Sequence, residues 1–127
     1  MMHHVALGAQ DVERVAAFYT RYMGLVEVAR HTDAAGALRS IWLKLSSSAV
    51  LMIERTTQPQ RAVEGIGAGP FLLAFGAVDQ DEHEARCAQL VADGYVIEAR
   101  TGYTSYTRDP EGNRVAISCY PLPLEAP

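Results

Sequence analysis

Lysine is nearly missing from this chain: Lys44 is the only one. Schiff-base chemistry would rest on that single amine and is not expected. Acidic residues outnumber basic ones, 15 Asp and Glu against 11 Lys and Arg, for a net charge of −4. No basic stripe runs through the sequence, so no nucleic-acid partner is expected. Cysteine is scarce too. Cys87 and Cys119 form neither a C-x-x-C pair nor a zinc spacing, and both sit in apolar patterns, so buried reduced thiols are expected rather than a disulfide. The longest apolar run, "FLLAFGAV", is far too short to span a bilayer. The start, "MMHHVALGAQDVER", lacks a charged segment followed by a long apolar one. A cytoplasmic protein without a membrane partner is the expectation. Two further absences narrow the chemistry. Ser46, Ser47 and Ser48 lie in a turn without a nucleophile-elbow setting. Gly65, Gly67 and Gly69 precede a strand instead of following one, which is the wrong context for a phosphate loop.

What is present is a pattern that occurs twice. The 127 residues suit one domain, 1–127, which buries roughly two thirds of its unfolded surface. "HHVALGA" reads as a strand, and "QDVERVAAFYTRYMG" then changes period. Asp11 is an expected N-cap. Val12, Val15, Ala16, Tyr19 and Tyr22 share one helical face, and Gly24 ends the helix. "LVEVAR", "ALRSIWLKL" and "AVLMIER" follow as strands, the last two joined by the serine turn. After the linker-like "TTQPQRAVEGIGAGP" the order returns: strand "FLLAFGAVD", helix "QDEHEARCAQLVADG", then "YVIEAR", "GYTSYTR", the turn "DPEGN" and "RVAISCY". Asp81 to Gly94 matches the interval from Asp11 to Gly24. A repeat of about 70 residues is too long for a solenoid and indicates two paired modules. The expected fold is α+β, two βαβββ modules (about 3–55 and about 70–120) joined by a linker (about 56–69).

Strand alternation assigns side chains to faces. Toward the helices go Val5, Leu7, Ile41, Leu43, Leu45, Leu51, Ile53, Leu72, Ala74, Val115 and Ile117. The other parity holds His4, Ala6, Trp42, Val50, Met52, Glu54, Leu73, Phe75, Arg114, Ala116 and Ser118, joined by Tyr106 and Arg108. That second set is too apolar for bulk water, so a ligand, the other module or another chain is expected to cover it.

The motifs "HHVALGAQDVERVAAFYTRYMGL" and "YTRDPEGNRVAI", with the module repeat, make this chain resemble the vicinal oxygen chelate superfamily. That group includes glyoxalase I, the extradiol dioxygenases and the bleomycin-resistance proteins. The resemblance covers about residues 3–120 and implies curved sheets around a cleft and a homodimer. It also implies, in metal-using members, His or Glu at one position on each of four strands. Carried over by alignment, these positions fall on His4, Met52, Leu73 and Ala116. One imidazole cannot hold a catalytic divalent ion unaided, so no metal cofactor is expected.

Three readings remain open at this level, the blandest an interaction module whose second face is covered by another subunit only. The first is a small-molecule-binding protein like the bleomycin-resistance branch. There Trp42, Met52, Leu73 and Phe75 would supply stacking and burial, and His4, Glu54, Tyr106 and Arg108 would orient the ligand beside Ala116 and Ser118. The second is a lyase, isomerase or dioxygenase, either metal-dependent or using His4 and Glu54 for proton transfer. His3 should point away from His4, while His31, in a polar loop, and His83, on an acidic helix start, are expected to be solvated.

Overall fold

The computed structural model describes residues 1–58, 65 and 71–124. These form two compact units: residues 1–63 together with the turn 109–113, and residues 64–108 together with 114–127. Most of the expected linker, including Gly67 and Gly69, lies outside the described residues.

In the first unit, β1 (His4–Ala9) leads into α1 (Val12–Met23), followed by β2 (Val26–Thr32), β3 (Leu38–Ser46) and β4 (Ala49–Arg55). The sheet order is β1-β4-β3-β2, with β1 parallel to β4 and the other pairs antiparallel. Helix α1 begins where expected, because the Asp11 carboxylate accepts from Arg14 N at 3.1 Å. It ends at Gly24, whose φ of 72° is the left-handed C-cap that a side chain resists. Val12, Val15, Ala16, Tyr19 and Tyr22 are buried as the helical spacing predicts, and Phe18 and Met23 join them. Leu7, Ile41, Leu43, Leu51 and Ile53 are buried in the sheet. Each such aliphatic side chain contributes roughly 1.5–3 kcal/mol when fully removed from water.

The turn 109–113 belongs to this unit and does more than reverse the chain. The Glu111 carboxylate accepts from Gln10 N at 2.8 Å and Asp11 N at 2.9 Å, a negative charge at the positive end of α1. Asp109 is buried and accepts the Tyr19 hydroxyl at 2.8 Å. Burial, and then the neighbouring Asp109 charge, push the Tyr19 phenol well above its ordinary range.

In the second unit, β5 (Leu73–Gly76), α2 (Gln80–Ala92), β6 (Ala99–Arg100), β7 (Thr104–Arg108) and β8 (Arg114–Ser118) repeat the order. The sheet runs β5-β8-β7-β6, with β5 parallel to β8. The cap of α2 is Asp79, which accepts from Glu82 N at 2.8 Å. The strand expected over "YVIEAR" shrinks to two residues; ahead of it the Val96 carbonyl accepts from the Thr107 hydroxyl at 2.8 Å.

Two histidine expectations are corrected. His83 is buried, 1% exposed. Its Nε2 lies 2.8 Å from Ser105 Oγ and its Nδ1 3.1 Å from Gln80 Oε1. His31 is on β2, not in a loop, and is half-buried. Both cysteines are free thiols; Cys87 is buried and Cys119 half-buried. Among the described residues no helix is long and apolar enough to cross a membrane.

Candidate functional site

Cross-strand pairs put directly opposed residues on one face of a sheet. In the first unit, the face turned away from Leu7, Ile53 and Ile41 therefore reads as three rows. Gly8, Glu54, Ser40 and His31 form one; Ala6, Met52, Trp42 and Ala29 the next; His4, Val50, Lys44 and Val26 the third. The expected grouping of His4, Trp42, Met52 and Glu54 thus shares a face. Trp42, Met52 and Glu54 are half-buried, whereas His4 is exposed. His3 does not point away from it as expected. The two Nδ1 atoms lie 2.9 Å apart and the rings meet edge to face.

The register also separates two groups that sequence reasoning paired. His4 stands opposite Val50, and the pairing of β1 with β4 continues without a bulge to Ala9 and Arg55. Glu54 is four residues farther along β4, about 13 Å at 3.3 Å per residue. The two side chains cannot reach the same substrate atom as acid and base.

The polar end of this face carries the least expected feature. Ser40 is buried, 1% exposed. Its Oγ, the Trp42 Nε1 and the His31 Nε2 are all buried without a hydrogen-bond partner. The His31 ring leans on the Trp42 indole, centroids 4.5 Å apart and planes inclined at 56°. Sequence reasoning found Trp42 and missed His31 and Ser40; alternation along β3 was the signal available for Ser40, whereas the register shift between Glu27 and Ala29 breaks the alternation of β2 and hides His31.

In the second unit the face away from α2 carries the row Ala74, Ala116, Tyr106 and Ala99, flanked by Gly76, Ser118 and Thr104 on one side and by Arg114 and Arg108 on the other. This corrects the assignment of β5. Leu73 stands opposite Val115 and Phe75 opposite Ile117, so both share the face whose Ser105 reaches His83 on α2. On the Ala116 face β5 places Ala74 and Gly76, with Leu72 just before the strand joining them by alternation. The expected ligand residues Tyr106, Arg108, Ala116 and Ser118 share that face; Leu73 and Phe75 do not. Arg108 is engaged, its Nε donating to Glu98 at 2.8 Å and its Nη2 to the Gly65 carbonyl at 3.0 Å. Ser118 Oγ pairs with Thr104 Oγ1 at 2.8 Å. At the sheet edge, Phe75 and Ser118 line a largely apolar hollow of about 480 Å³ together with Ala74, Tyr120 and Leu122.

The positions that the resemblance aligns with metal ligands supply fewer donor side chains than a catalytic divalent ion needs. The four aligned positions offer an imidazole, a thioether, an alkyl chain and a methyl group, and replacing Leu73 by Leu72 changes nothing in that set. Among the described residues no three His, Cys, Asp or Glu side chains are grouped so that they could hold a metal.

Solved structures share this architecture. The fosfomycin resistance protein FosX from Listeria monocytogenes, solved with Mn(II) and 1S,2S-dihydroxypropylphosphonic acid, matches at 17% identity with a TM-score of 0.75, covering 94% of this chain and 92% of that one. Lactoylglutathione lyase from Agrobacterium tumefaciens matches at 23% identity, TM-score 0.63, with 91% and 90% covered. TnmS3, an antibiotic binding protein from Streptomyces sp. CB03234, matches at 20% identity, TM-score 0.65, with 93% of each chain covered. No curated protein matches the chain. The sequence profile of one family matches residues 1–117. With the twice-repeated strand–helix–strand order in the structure, that match identifies the chain as a member of the Glyoxalase/Bleomycin resistance protein/Dioxygenase superfamily.

Proposed function

We propose that this protein binds a small organic molecule, without a catalytic metal ion, on the strand faces turned away from its helices. The observation that carries the reading is the face of the first unit. Trp42, Met52 and Val50 are half-buried there beside Glu54, an apolar surface with few polar groups, which is the make-up of a ligand site. His4 and Lys44 stand at its exposed end. In the second unit Tyr106, Arg108, Ala116 and Ser118 are the corresponding proposals. Leu73 and Phe75 are kept as apolar contributors, Phe75 through the hollow at the sheet edge. We place the protein in the cytoplasm, in keeping with its two free thiols, and take the homodimer from the resemblance alone.

An enzyme of the same superfamily is the competing reading. Its metal-free form is weakened by the separation of His4 from Glu54, and its metal-dependent form by the donor set. Metal analysis of protein purified without chelator tests the metal-dependent form. Binding without catalysis predicts substoichiometric divalent metal; near one equivalent per chain, lost on His4→Ala, refutes the metal-free reading. A thermal-shift screen then looks for the ligand, which at about 100 times its Kd stabilises by roughly 2.7 kcal/mol. Turnover of a hit would overturn the binding reading, and light scattering of the eluted peak checks the dimer.

A further inference from the structure

We propose that Ser40 and Trp42 form a subsite for a neutral planar ring bearing a carbonyl group, and that the His31 imidazole occupies that ring's place in this structure. The inference rests on the small-molecule reading above and gives it a chemical class.

Buried polar atoms in folded proteins are almost always hydrogen-bonded. Here three of them, Ser40 Oγ, Trp42 Nε1 and His31 Nε2, are closed off without partners in one patch of one sheet. The pairing explains why they are neighbours. His31 stands opposite Ser40, and Trp42 follows Ser40 by two residues on the same face of β3. A patch that only needed to be packed could use apolar side chains at no such cost. These side chains are suited to a guest that brings the missing partner.

The chemistry of the two atoms that stay, Trp42 Nε1 and Ser40 Oγ, defines the guest. Indole N–H is a donor only, and a hydroxyl donates as readily as it accepts, so the guest must present an acceptor to Trp42 and can present the same one to Ser40. A carbonyl oxygen with two lone pairs meets both. Glu54 stands opposite Ser40 on β4, which disfavours a carboxylate in that position and favours an uncharged acceptor. The shape follows from His31. Its ring sits 4.5 Å from the indole centroid, within the range of aromatic contact. A flat ring replacing it keeps that contact and adds the hydrogen bonds that the imidazole does not make. His31 is placed to leave, because the pairing of β2 with β3 is irregular between His31 and Thr32, immediately before the turn at Asp33.

Isothermal titration of the full chain with 2-quinolinone, against naphthalene as the flat ring without a carbonyl, tests this. The quinolinone is expected to bind about tenfold tighter than naphthalene, and Ser40→Ala and Trp42→Phe each to reduce its affinity by roughly 3- to 10-fold. His31→Ala is expected to raise affinity, since the internal competitor is gone. Ser40→Cys, nearly isosteric, replaces Ser40→Ala if that variant melts early. Equal binding of the two rings, unchanged affinity in both Ser40 and Trp42 variants, or no quinolinone binding even to His31→Ala would each overturn the subsite. The broader small-molecule reading fails separately, if no compound in the thermal-shift screen binds.

Discussion

Two five-residue turns in this protein have the same backbone and different consequences. In "DAAGA" (33–37), Asp33 N donates to Ala37 O at 2.8 Å, and Asp33 Oδ1 accepts from Ala35 N and Ala37 N at 2.9 and 3.0 Å. In "DPEGN" (109–113), Asp109 N donates to Asn113 O at 2.9 Å, and Asp109 Oδ1 accepts from Glu111 N and Asn113 N at 2.9 and 3.0 Å. Each has a glycine with positive φ in its fourth place, 83° at Gly36 and 88° at Gly112. The difference lies in the second carboxylate oxygen. Asp33 Oδ2 takes Arg55 at 2.7 Å near the surface, whereas Asp109 Oδ2 takes the buried Tyr19 hydroxyl and the Asn113 side chain, both at 2.8 Å. Local sequence sets the shape of a turn, and what its free oxygen meets decides how much the fold depends on it.

The sharpest way to break the pair is at the aspartates. Asp109→Ala should destabilise by about 3 kcal/mol or more in urea unfolding, because it removes the turn's acceptor and leaves the Tyr19 hydroxyl buried without it. Tyr19→Phe, which removes only the shared hydrogen bond, should cost about 1 kcal/mol. It should also flatten the alkaline limb of the stability profile. The folded-state pKa of Tyr19 is raised, so its contribution is fully present below the unfolded value near 10 and declines as pH climbs above it, where the unfolded chain binds fewer protons. Urea midpoints measured from pH 8 to 11 read this directly. The glycines test what the turns share: Gly112→Ala and Gly36→Ala should each cost about 1 kcal/mol, since nothing lies within 4 Å of an added Cβ at either position. A large gap between the two would mean that the turns differ in backbone after all. Asp33→Ala should shift the urea midpoint least, and the shift should shrink further in high salt.

Much of this was legible beforehand, for a physical reason in each case. In α1 the apolar residues recur with one phase, so Val15 and Tyr19 could be turned inward from spacing alone. In β3 and β4 the alternation of Ile41, Leu43, Leu51 and Ile53 with Trp42 and Met52 has a phase as well. "FLLAF" has none, being apolar at every position, and β5 was read one residue out of step. In a strand that slip moves every side chain to the other face. His83 misled because one of its two partners, Ser105, lies 22 positions along the chain and reaches it only in the fold. The unpartnered atoms at Ser40 and Trp42 left no trace in the sequence, since a missing hydrogen bond is a property of surroundings.

The way the first unit is assembled bears on how such a protein can be divided. Its residues are not consecutive: positions 1–63 need 109–113, supplied from far down the chain, to cover the start of α1 and to satisfy Tyr19. A fragment ending at the linker would therefore be a damaged half rather than a self-sufficient one. Two such fragments should regain native melting only when mixed, which makes fragment complementation a practical assay for this chain.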